Sequence, residues 1–545
     1  VVENEYEAEK IINKAFQAAL SGRKGPVLLD FCSSIWKKEI DISEHINECK
    51  FKKNTINYDS VYEMLKEAHK PVVLIGDGIR QAGVEIQLSK IINKTNIPVL
   101  SSRGSQDSGR LFDNYYGYIG SHGLRYSNYI FSEADLVIAL GNRMAFPLNS
   151  ESYKKALENK KIIRIEYDRR EIQRSILNTY TIKNDLRSFV EEFNFKINCS
   201  SNWTDLCCLV KNKLMFCDCN STVDFLCQIF KEYKDSDFVM DVGNNEFWAS
   251  KAYELSGVKA RTYYSKSFGA LGCSLAKSIG IFYKNKKHIV CVTGDQGFQL
   301  NIQELQFISR EKIPVLIFII NNKISGMIKD REKREGYAVH TTYNTGYNDV
   351  THIGIFDIPM MSNIPELVYL APTNKQEYLA MIDWSLNQNL YPVAIRAPRN
   401  GVFESEYAVK SNYDDLNKYI VTQEGSYIAV LALGDFYQLG EKLCTEIADK
   451  YNLPTLINPI YITGVDTDLL NDLKKNHRLI ITLEDGILDG GFGEKIARFY
   501  GADDVKVLNY GLKKEFLDRY NVNEVMEKNR LRVDLILEDI ERIIK

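Results

Sequence analysis

Short apolar runs alternate with helical stretches along nearly the whole chain. The clearest runs lie at residues 72–75, 136–140, 289–292 and 315–320. They are apolar at consecutive positions and rich in β-branched residues, which is typical of strands buried on both faces of a parallel sheet. Because such strands alternate with helices, the sequence predicts an α/β fold with several doubly wound parallel-sheet domains.

Polar stretches divide this pattern into blocks. Residues 51–59 have the composition of a linker, and residues 199–220 form a polar, Cys-rich segment that we expect to connect two blocks. The first block has a helical stretch around residues 15–19 and an expected strand at residues 25–31. The last block starts near residue 427 and ends in an amphipathic helix. At 545 residues, the chain is long enough for three or four domains of roughly 150 residues each.

Composition excludes several classes of protein. A net charge of −3 gives no basic excess to neutralise phosphates, so no nucleic-acid partner is expected. No apolar run approaches the roughly 20 residues that span a bilayer, and the N-terminus lacks the features of a signal peptide. We expect no membrane partner. The 11 cysteines form no Cys-x-x-Cys pair, so reduced thiols in a cytoplasmic protein are expected rather than disulfides or zinc.

Residues 288–322 carry the strongest chemical signal. Residues 288–293 predict a strand, Gly294-Asp295-Gln296-Gly297 a loop at its carboxyl end, and residues 299–310 a helix with Leu300, Leu305 and Ile308 on its apolar side. A second buried strand follows and ends at Asn321-Asn322. In such a β-α-β unit the two strands are parallel, so Asp295 and Asn322 are expected at the same edge of the sheet, where open α/β sheets bind ligands.

An Asp carboxylate and an Asn carbonyl oxygen are hard donors that suit magnesium. Gly294 would allow a diphosphate to approach the backbone, and the following helix N-terminus favours an anion. The alternative is structural: Asp295 would cap a helix and the Asn pair would form a turn. The combination of both features across one β-α-β unit favours the magnesium site.

The segment resembles the thiamine diphosphate signature of the acetolactate synthase family. The resemblance implies Asp295 and Asn322 as side-chain magnesium ligands and the Ile324 carbonyl as a third. Residues 241–245 resemble the loop that contacts the diphosphate, with Gly243, Asn244 and Asn245, and residues 267–272 resemble the segment beneath the bent cofactor. In that segment Gly269 is a cofactor contact and Leu271 matches the apolar wedge. Gln296 stands where the family has a small residue, and Gly297 completes the loop.

The resemblance extends towards the N-terminus. Residues 1–50 resemble the tail of the family's pyrimidine-binding domain, residues 56–198 its central, Rossmann-like domain, and residues 215–349 its diphosphate-binding domain. Some relatives bind a flavin in the central domain, but we expect none here. Gly76 and Gly78 follow a predicted strand, and a strand-to-helix turn is favoured over a nucleotide site, such as the NAD site of a dehydrogenase.

After about residue 350 the resemblance changes to transketolase and deoxyxylulose phosphate synthase. Residues 350–405 resemble part of their pyrimidine domain, and residues 410–545 resemble their C-terminal domain. The resemblance implies that His352 and Arg399 contact a sugar-phosphate substrate. The structural alternatives are a turn residue for His352 and a surface ion pair for Arg399.

Both families activate the cofactor with a glutamate that lies early in the pyrimidine domain. No glutamate of this chain matches that motif, and we expect the chain to be incomplete relative to its families, whether by natural fusion or otherwise. The sequence therefore predicts thiamine diphosphate and Mg²⁺ as cofactors and decarboxylation of a 2-keto acid, with pyruvate expected, coupled to carboligation. The alternatives are ketol transfer on sugar phosphates and a non-catalytic or split module. The expected partners are small carbonyl substrates, further copies in a homo-oligomer, or a chain that supplies a pyrimidine domain.

Overall fold

The computed structural model describes residues 1–22, 24–40, 56–144, 151–194, 199–217, 219–265, 269–321, 356–398, 409–410, 412–515 and 521–544. The chain folds into two compact units, Val1–Asp218 and Cys219–Lys545. Throughout these described ranges, no helix combines the length and the apolar character that crossing a membrane requires.

A six-stranded parallel sheet forms the centre of the first unit. Its order is β3-β2-β1-β4-β5-β6, so the chain starts in the middle and winds outwards to each side in turn. This is the doubly wound order that the alternating pattern predicts. The central strands are buried at every position because helices cover both faces. The strands are β1 Pro71–Ile75, β2 Val99–Ser101, β3 Tyr115–Tyr118, β4 Leu136–Leu140, β5 Lys161–Glu166 and β6 Thr179–Lys183.

The helices of the first unit lie before, between and after these strands. Asn4 caps the first helix and Asp185 caps the ninth, each accepting a hydrogen bond from a backbone N–H of the first turn. The helices are α1 Glu5–Leu20, α2 Asp59–Glu67, α3 Gly78–Gln81, α4 Glu85–Ile92, α5 Gln106–Gly109, α6 Arg125–Glu133, α7 Glu151–Leu157, α8 Arg169–Ile172, α9 Leu186–Glu192 and α10 Ser201–Leu214.

Most of the expected polar connector at residues 199–220 is the helix α10, and the boundary between the two compact units lies after that helix, within the expected segment. Trp203 and Cys207 are buried, and Leu206 and Val210 pack against the same core. The indole Nε1 of Trp203 donates a hydrogen bond to the Pro71 carbonyl at 3.0 Å. These apolar positions have helical spacing, which the intervening Ser, Asn, Asp and Lys residues obscure in the sequence.

Two further predictions in the first unit have different outcomes. The helical stretch at residues 15–19 is confirmed by α1. The strand expected at residues 25–31 is wrong: Phe31 makes an isolated bridge to Val2, and Leu28 is 94% exposed. An apolar run forms a strand only where a neighbouring backbone pairs with it.

At Gly76, an added Cβ would lie 2.4 Å from the Gly141 carbonyl, so this glycine permits close packing at the strand ends.

The second unit contains a six-stranded parallel sheet in the order β11-β12-β10-β9-β7-β8. Residues after 356 supply two of its strands, so the segment at residues 350–405, which we expected to belong to a different domain, shares one sheet with residues 237–321. The strands are β7 Asp237–Met240, β8 Thr262–Tyr263, β9 Ile289–Gly294, β10 Val315–Asn321, β11 Val368–Leu370 and β12 Val393–Pro398.

A five-stranded sheet follows in the order β13-β15-β14-β16-β17. The strand β13 is antiparallel to β15, and the other pairs are parallel, so this sheet is mixed. The strands are β13 Ile420–Gln423, β14 Tyr427–Ala432, β15 Thr455–Asn458, β16 His477–Ile487 and β17 Lys506–Leu512.

Helices flank both sheets of the second unit. The last one, Val533–Ile544, confirms the amphipathic helix expected at the end of the chain, since Ile536, Leu537 and Ile540 are buried. The helices are α11 Ser221–Glu232, α12 Asn244–Ser256, α13 Cys273–Asn285, α14 Asp295–Leu300, α15 Glu304–Arg310, α16 Asp357–Met361, α17 Lys375–Asn387, α18 Tyr437–Lys450, α19 Thr467–Asn476, α20 Phe492–Tyr500, α21 Val522–Lys528 and α22 Val533–Ile544.

The two sheets of the second unit share one apolar core and a buried ionic network. Arg396 of β12 forms ion pairs with Asp357 of α16, at 2.9 Å, and with Asp485 of β16. Tyr369 donates a hydrogen bond to Asp357 at 2.6 Å. Burial opposes the charge of Arg396, but the two carboxylates outweigh it and hold the pKa of Arg396 above its ordinary value. The network therefore joins the sheets at a point that excludes water.

All ten cysteines in the described part of the chain are free thiols. Across the same residues, no group of three or more His, Cys, Asp or Glu side chains could hold a metal ion. The free thiols agree with the prediction from the cysteine spacing.

Arg396→Met is expected to lower the free energy of unfolding by about 3–5 kcal/mol, because Asp357 and Asp485 would be left buried without their cation. Urea unfolding measures the loss. Arg532→Met is the control, since Arg532 is half-exposed and its ion pair with Asp534 contributes less than about 1 kcal/mol. Equal losses in the two variants would contradict this role for the buried network.

Stability is also expected to depend on pH through Glu377 of α17. Burial raises the pKa of Glu377 to about 7, although Thr373 and Asn458 donate hydrogen bonds to its carboxylate. The folded state therefore binds the proton more tightly than the unfolded chain does, and this contribution to stability is lost as the pH rises from 4.5 towards 7.

Glu377→Gln should remove that part of the pH dependence. Between pH 5 and 8 the parent protein should lose stability relative to the variant. The free energy of unfolding of the variant minus that of the parent protein should therefore increase over this range. Urea unfolding at several pH values measures it, and parallel curves for the two proteins would contradict the assignment.

Candidate cofactor and metal site

The site lies at the carboxyl ends of three neighbouring parallel strands. Gly294 of β9 pairs with Ile320 of β10, and Met240 of β7 pairs with Val292 of β9. The residues that follow these strands, including Asp241 and Asp295, therefore leave the sheet at one edge. This confirms the β-α-β geometry that the sequence predicts.

The helical part of that unit differs in detail from the prediction. Residues 294–297 are not a loop, because α14 begins at Asp295. The expected helix at residues 299–310 is broken at Asn301, whose φ of −132° is not helical. Leu305 and Ile308 are buried as predicted, but Leu300 is 58% exposed. The break at Asn301 places Leu300 on a different helix from the other two residues, so helical spacing does not carry it to the buried face.

Asp295 lies at the first position of α14 and is only 3% exposed. A carboxylate is favourable there because the helix N-terminus carries partial positive charge. Its neighbours Gln296 and Gly297 form the rest of the first turn, and Gly294 ends the strand before it. Asp295 therefore supplies a buried hard oxygen donor at the edge of the sheet.

Two glycines permit close backbone approaches around this edge. Gly243 has a φ of +137°, and an added Cβ would lie 2.5 Å from Oδ1 of Asn245. Gly272 has a φ of +79°, and an added Cβ would lie 2.8 Å from the Gly297 carbonyl oxygen. L-residues rarely adopt these values, so glycine is required at both positions. Gly243 precedes α12, whose first-turn N–H groups face the same edge.

Asn245 connects the ends of two strands. Its Nδ2 donates to the Asp241 carbonyl at 2.8 Å and to the Val292 carbonyl at 3.3 Å. Its amide thus holds the loop after β7 against β9, while the neighbouring Asn244 is only partly buried. In the loop that resembles the diphosphate-contacting loop, Asn245 orders the backbone, and Gly243 leaves room for the Asn245 side chain.

The segment resembling the floor of the cofactor site is partly described. Gly269 is exposed with a φ of +59°, and the Ala270 N–H donates to Ser265 Oγ at 2.7 Å. Leu271 is 40% exposed, and Gly272, which follows it, is buried. Together with Leu300, it gives this edge an exposed apolar surface.

Asp241 has the most extensive hydrogen bonding at this edge, and sequence reasoning did not identify it as a site residue. It is fully buried, and its carboxylate accepts hydrogen bonds from the Gly272 N–H at 2.9 Å and from the Ser274 hydroxyl at 2.7 Å. Burial raises the pKa of Asp241, and these hydrogen bonds partly oppose that increase. The available signal was an Asp directly after a buried strand and two residues before a glycine.

Four predicted site residues, Asn322, Ile324, His352 and Arg399, lie outside the described residues. Asn321 ends β10 beside the end of β9, which brings the backbone before Asn322 to the edge that carries Asp295. A magnesium diphosphate needs hard oxygen donors and room near the backbone. The residues present fit that group, because Asp295 is a buried carboxylate and because Gly243 and Gly272 let the loops at this edge pack closely around it.

Gly272→Ala is expected to destabilise the protein by about 1–3 kcal/mol, since it forces an L-residue into a positive φ against the Gly297 carbonyl. The matched control is Gly280→Ala in α13, where an added Cβ meets nothing within 4 Å and where alanine should stabilise the helix by about 0.5–1 kcal/mol. Thermal and urea unfolding measure both. Equal effects of the two substitutions would contradict the close approach at Gly272.

Comparison with known families divides the chain in three. Residues 58–193 match the family model described as the thiamine pyrophosphate enzyme central domain. Residues 241–357 match the C-terminal thiamine pyrophosphate-binding domain of the same enzymes, which includes the edge described above. Residues 417–531 match the transketolase C-terminal domain.

Several proteins similar to this chain are named acetolactate synthase. The chain is 27% identical over 358 residues to a probable acetolactate synthase large subunit of Methanococcus aeolicus, covering 58% of this chain and 59% of that protein. It is 25% identical to the acetolactate synthase large subunit of Cyanidium caldarium, covering 60% of each. It is 24% identical to the acetolactate synthase isozyme 2 large subunit of Escherichia coli K12, covering 71% of each.

The chain thus spans about three fifths of the length of the first two relatives. The three matched segments follow one another along the sequence, and the second contains the glycine loop, Asp241 and Asp295. The chain therefore contains segments that match the central and C-terminal cofactor-binding domains of thiamine pyrophosphate enzymes, followed by a segment that matches the transketolase C-terminal domain.

Proposed function

We propose that this protein binds thiamine diphosphate with Mg²⁺ and uses it to decarboxylate a 2-keto acid, with pyruvate as the expected substrate, and to transfer the remaining fragment to a carbonyl acceptor. The observation that carries the proposal is the meeting of Asp295 and the Gly243 loop at one edge of the sheet. The match of residues 241–357 to the cofactor-binding domain supports it.

The diphosphate would bind beside Gly243 and the first turn of α12. There the backbone N–H groups can donate to phosphate oxygens, and the helix N-terminus favours their negative charge. Asn245 keeps this loop in place through its bonds to two strand ends. Asn244 would contact the diphosphate from the same turn.

Magnesium would bridge the diphosphate to Asp295, with Asn322 and the Ile324 carbonyl as the further protein ligands. Hard oxygen donors in a nearly octahedral shell are what this ion requires. The burial of Asp295 supports the proposal because a buried carboxylate is stabilised by a cation. Gly294, Gln296 and Gly297 would surround the metal-bound diphosphate.

The organic part of the cofactor would lie over Gly269 and Leu271. When bound, thiamine diphosphate supplies the carbon centre that adds to the keto group and accepts the electrons released on loss of carbon dioxide. The exposed Leu271 side chain would support the bent cofactor and exclude water from the reacting centre.

The proposal includes a partner for the pyrimidine end. No glutamate of this sequence matches the activating motif, and a second copy has the same residues, so a separate chain with a pyrimidine domain would supply it. The exposed apolar pair Leu271 and Leu300 would face that partner. The free thiols of the described cysteines support a reducing, cytoplasmic location.

A second candidate function is ketol transfer between sugar phosphates, with His352 and Arg399 as substrate contacts. The match of residues 417–531 to the transketolase C-terminal domain favours it. Substrate choice separates the two: carbon dioxide release from pyruvate supports the first, and cleavage of a phosphorylated ketose without carbon dioxide release supports the second. A non-catalytic module would bind a partner without either turnover.

Calorimetric titration with thiamine diphosphate and Mg²⁺ tests the proposal. Asp295→Ala and the milder Asp295→Asn should each weaken binding by at least about tenfold, because a magnesium ligand is lost or weakened. The control is Asp472→Ala, since Asp472 is an exposed residue of the same unit that pairs with Lys475. Equal affinity in the Asp295 variants and the parent protein would contradict the metal site.

The same titration decides whether this chain alone holds the cofactor. Micromolar binding by the parent protein supports a site that is complete enough to bind both the diphosphate end and the pyrimidine end of the cofactor. If binding and carbon dioxide release appear only after addition of a pyrimidine-domain chain, the split enzyme is supported. If neither occurs in either case, the proposed function is wrong.

A further inference from the structure

One carboxylate contacts several of the described segments that border the proposed cofactor site. Asp241 follows β7 and is fully buried. Its Oδ1 accepts from the N–H groups of Val242, at 2.7 Å, and of Gly272, at 2.9 Å. Its Oδ2 accepts from the hydroxyls of Ser274, at 2.7 Å, and of Thr293, at 3.2 Å. Four donors on two oxygens leave little freedom for the side chain or for its partners.

These four donors belong to three separate segments that border the site. Val242 is in the loop beside the proposed diphosphate position, and Gly272 and Ser274 begin α13 beneath the proposed organic ring. Thr293 lies in β9, two residues before Asp295. The distances between these segments thus depend on Asp241, which is not itself one of the residues proposed to contact the cofactor or the metal.

The turn that starts with Asp295 also contacts the Asp241 carboxylate, by close packing. An added Cβ on Gly297, in the turn that starts with Asp295, would lie 3.1 Å from Asp241 Oδ2. Asn301, at the end of that turn, donates to the Gly272 carbonyl at 2.9 Å. The turn with the proposed metal ligand is therefore positioned against Asp241 directly and through Gly272.

We propose that Asp241 is a positioning residue, which fixes the diphosphate loop, the floor segment and the Asp295 turn in a single arrangement that binds magnesium thiamine diphosphate. This inference rests on the proposed function and names a further residue required by the same site. Asp241 acts through the loops, so its loss weakens cofactor binding without removing a ligand.

The test compares Asp241→Ala with Asp241→Asn. Alanine removes all four acceptor bonds, and affinity for magnesium thiamine diphosphate falls about 10- to 100-fold. Asparagine keeps one oxygen for the two N–H groups and can donate its amide hydrogens to the two hydroxyls, whose own protons can turn away. It therefore restores affinity to within about fivefold of the parent protein.

A matched control separates positioning from general stability. Asp466 is a buried aspartate of the same unit that accepts hydrogen bonds from Tyr419 N, Leu469 N and Lys418 Nζ, away from the proposed site. Asp466→Ala lowers the melting temperature of the unliganded protein but keeps the increase that magnesium thiamine diphosphate produces. Asp241→Ala loses that ligand-induced increase, which a merely structural role would leave in place.

A milder pair of variants covers the case in which Asp241→Ala does not fold. Ser274→Ala removes one donor to Asp241 and lowers affinity about three- to tenfold. Ser278→Ala, one turn further along α13, removes a hydroxyl that donates a hydrogen bond to the Ser274 carbonyl at 2.8 Å. This variant leaves the affinity for magnesium thiamine diphosphate unchanged.

Each outcome decides between the two proposals. Binding by the parent protein, with Asp241→Ala and Ser274→Ala within twofold of it, overturns the role of Asp241 and leaves the proposed function standing. An equal loss of affinity in Asp466→Ala overturns it as well. Absence of binding by the parent protein, alone and with a pyrimidine-domain chain, overturns the proposed function and this inference with it.

Discussion

Parallel pairing of β7, β9 and β10 brings the ends of three strands to one edge of the sheet, and the chemistry of the second unit depends on that register. A shift of one residue in β9 would move Asp295 away from the loop at Gly243 and turn alternate side chains to the opposite face. The buried carboxylate of Asp241 holds the register at this edge, because it accepts hydrogen bonds from groups that follow or end different strands.

The same sheet unites residues 237–321 with residues after 356. Its strands β11 and β12 come from residues after 356, and Arg396 of β12 forms buried ion pairs with α16 and with the five-stranded sheet. The edge that carries Asp295 and the segment that matches the transketolase C-terminal domain therefore belong to one compact unit. Within that unit, substitutions in the C-terminal sheet can alter the stability of the site without touching it.

Sequence reasoning succeeded where local pattern decides the structure. Continuous apolar runs identified the buried strands, and the β-α-β order placed Asp295 at the sheet edge. It failed where tertiary contacts decide. The run at residues 25–31 lacks the ladder that would make it a strand, and Leu300 is exposed because α14 ends before the next helix begins. The four hydrogen bonds of Asp241 join residues up to 52 positions apart, so no local pattern reveals them.

A crystal structure of the protein with thiamine diphosphate and Mg²⁺ is the most direct measurement of the central claim, which is that this edge binds the cofactor through Asp295 and the Gly243 loop. The account predicts an ion about 2.0–2.1 Å from an Asp295 carboxylate oxygen, with the diphosphate beside the first turn of α12. A cofactor bound elsewhere on the protein, or an ion that does not contact Asp295, would contradict it.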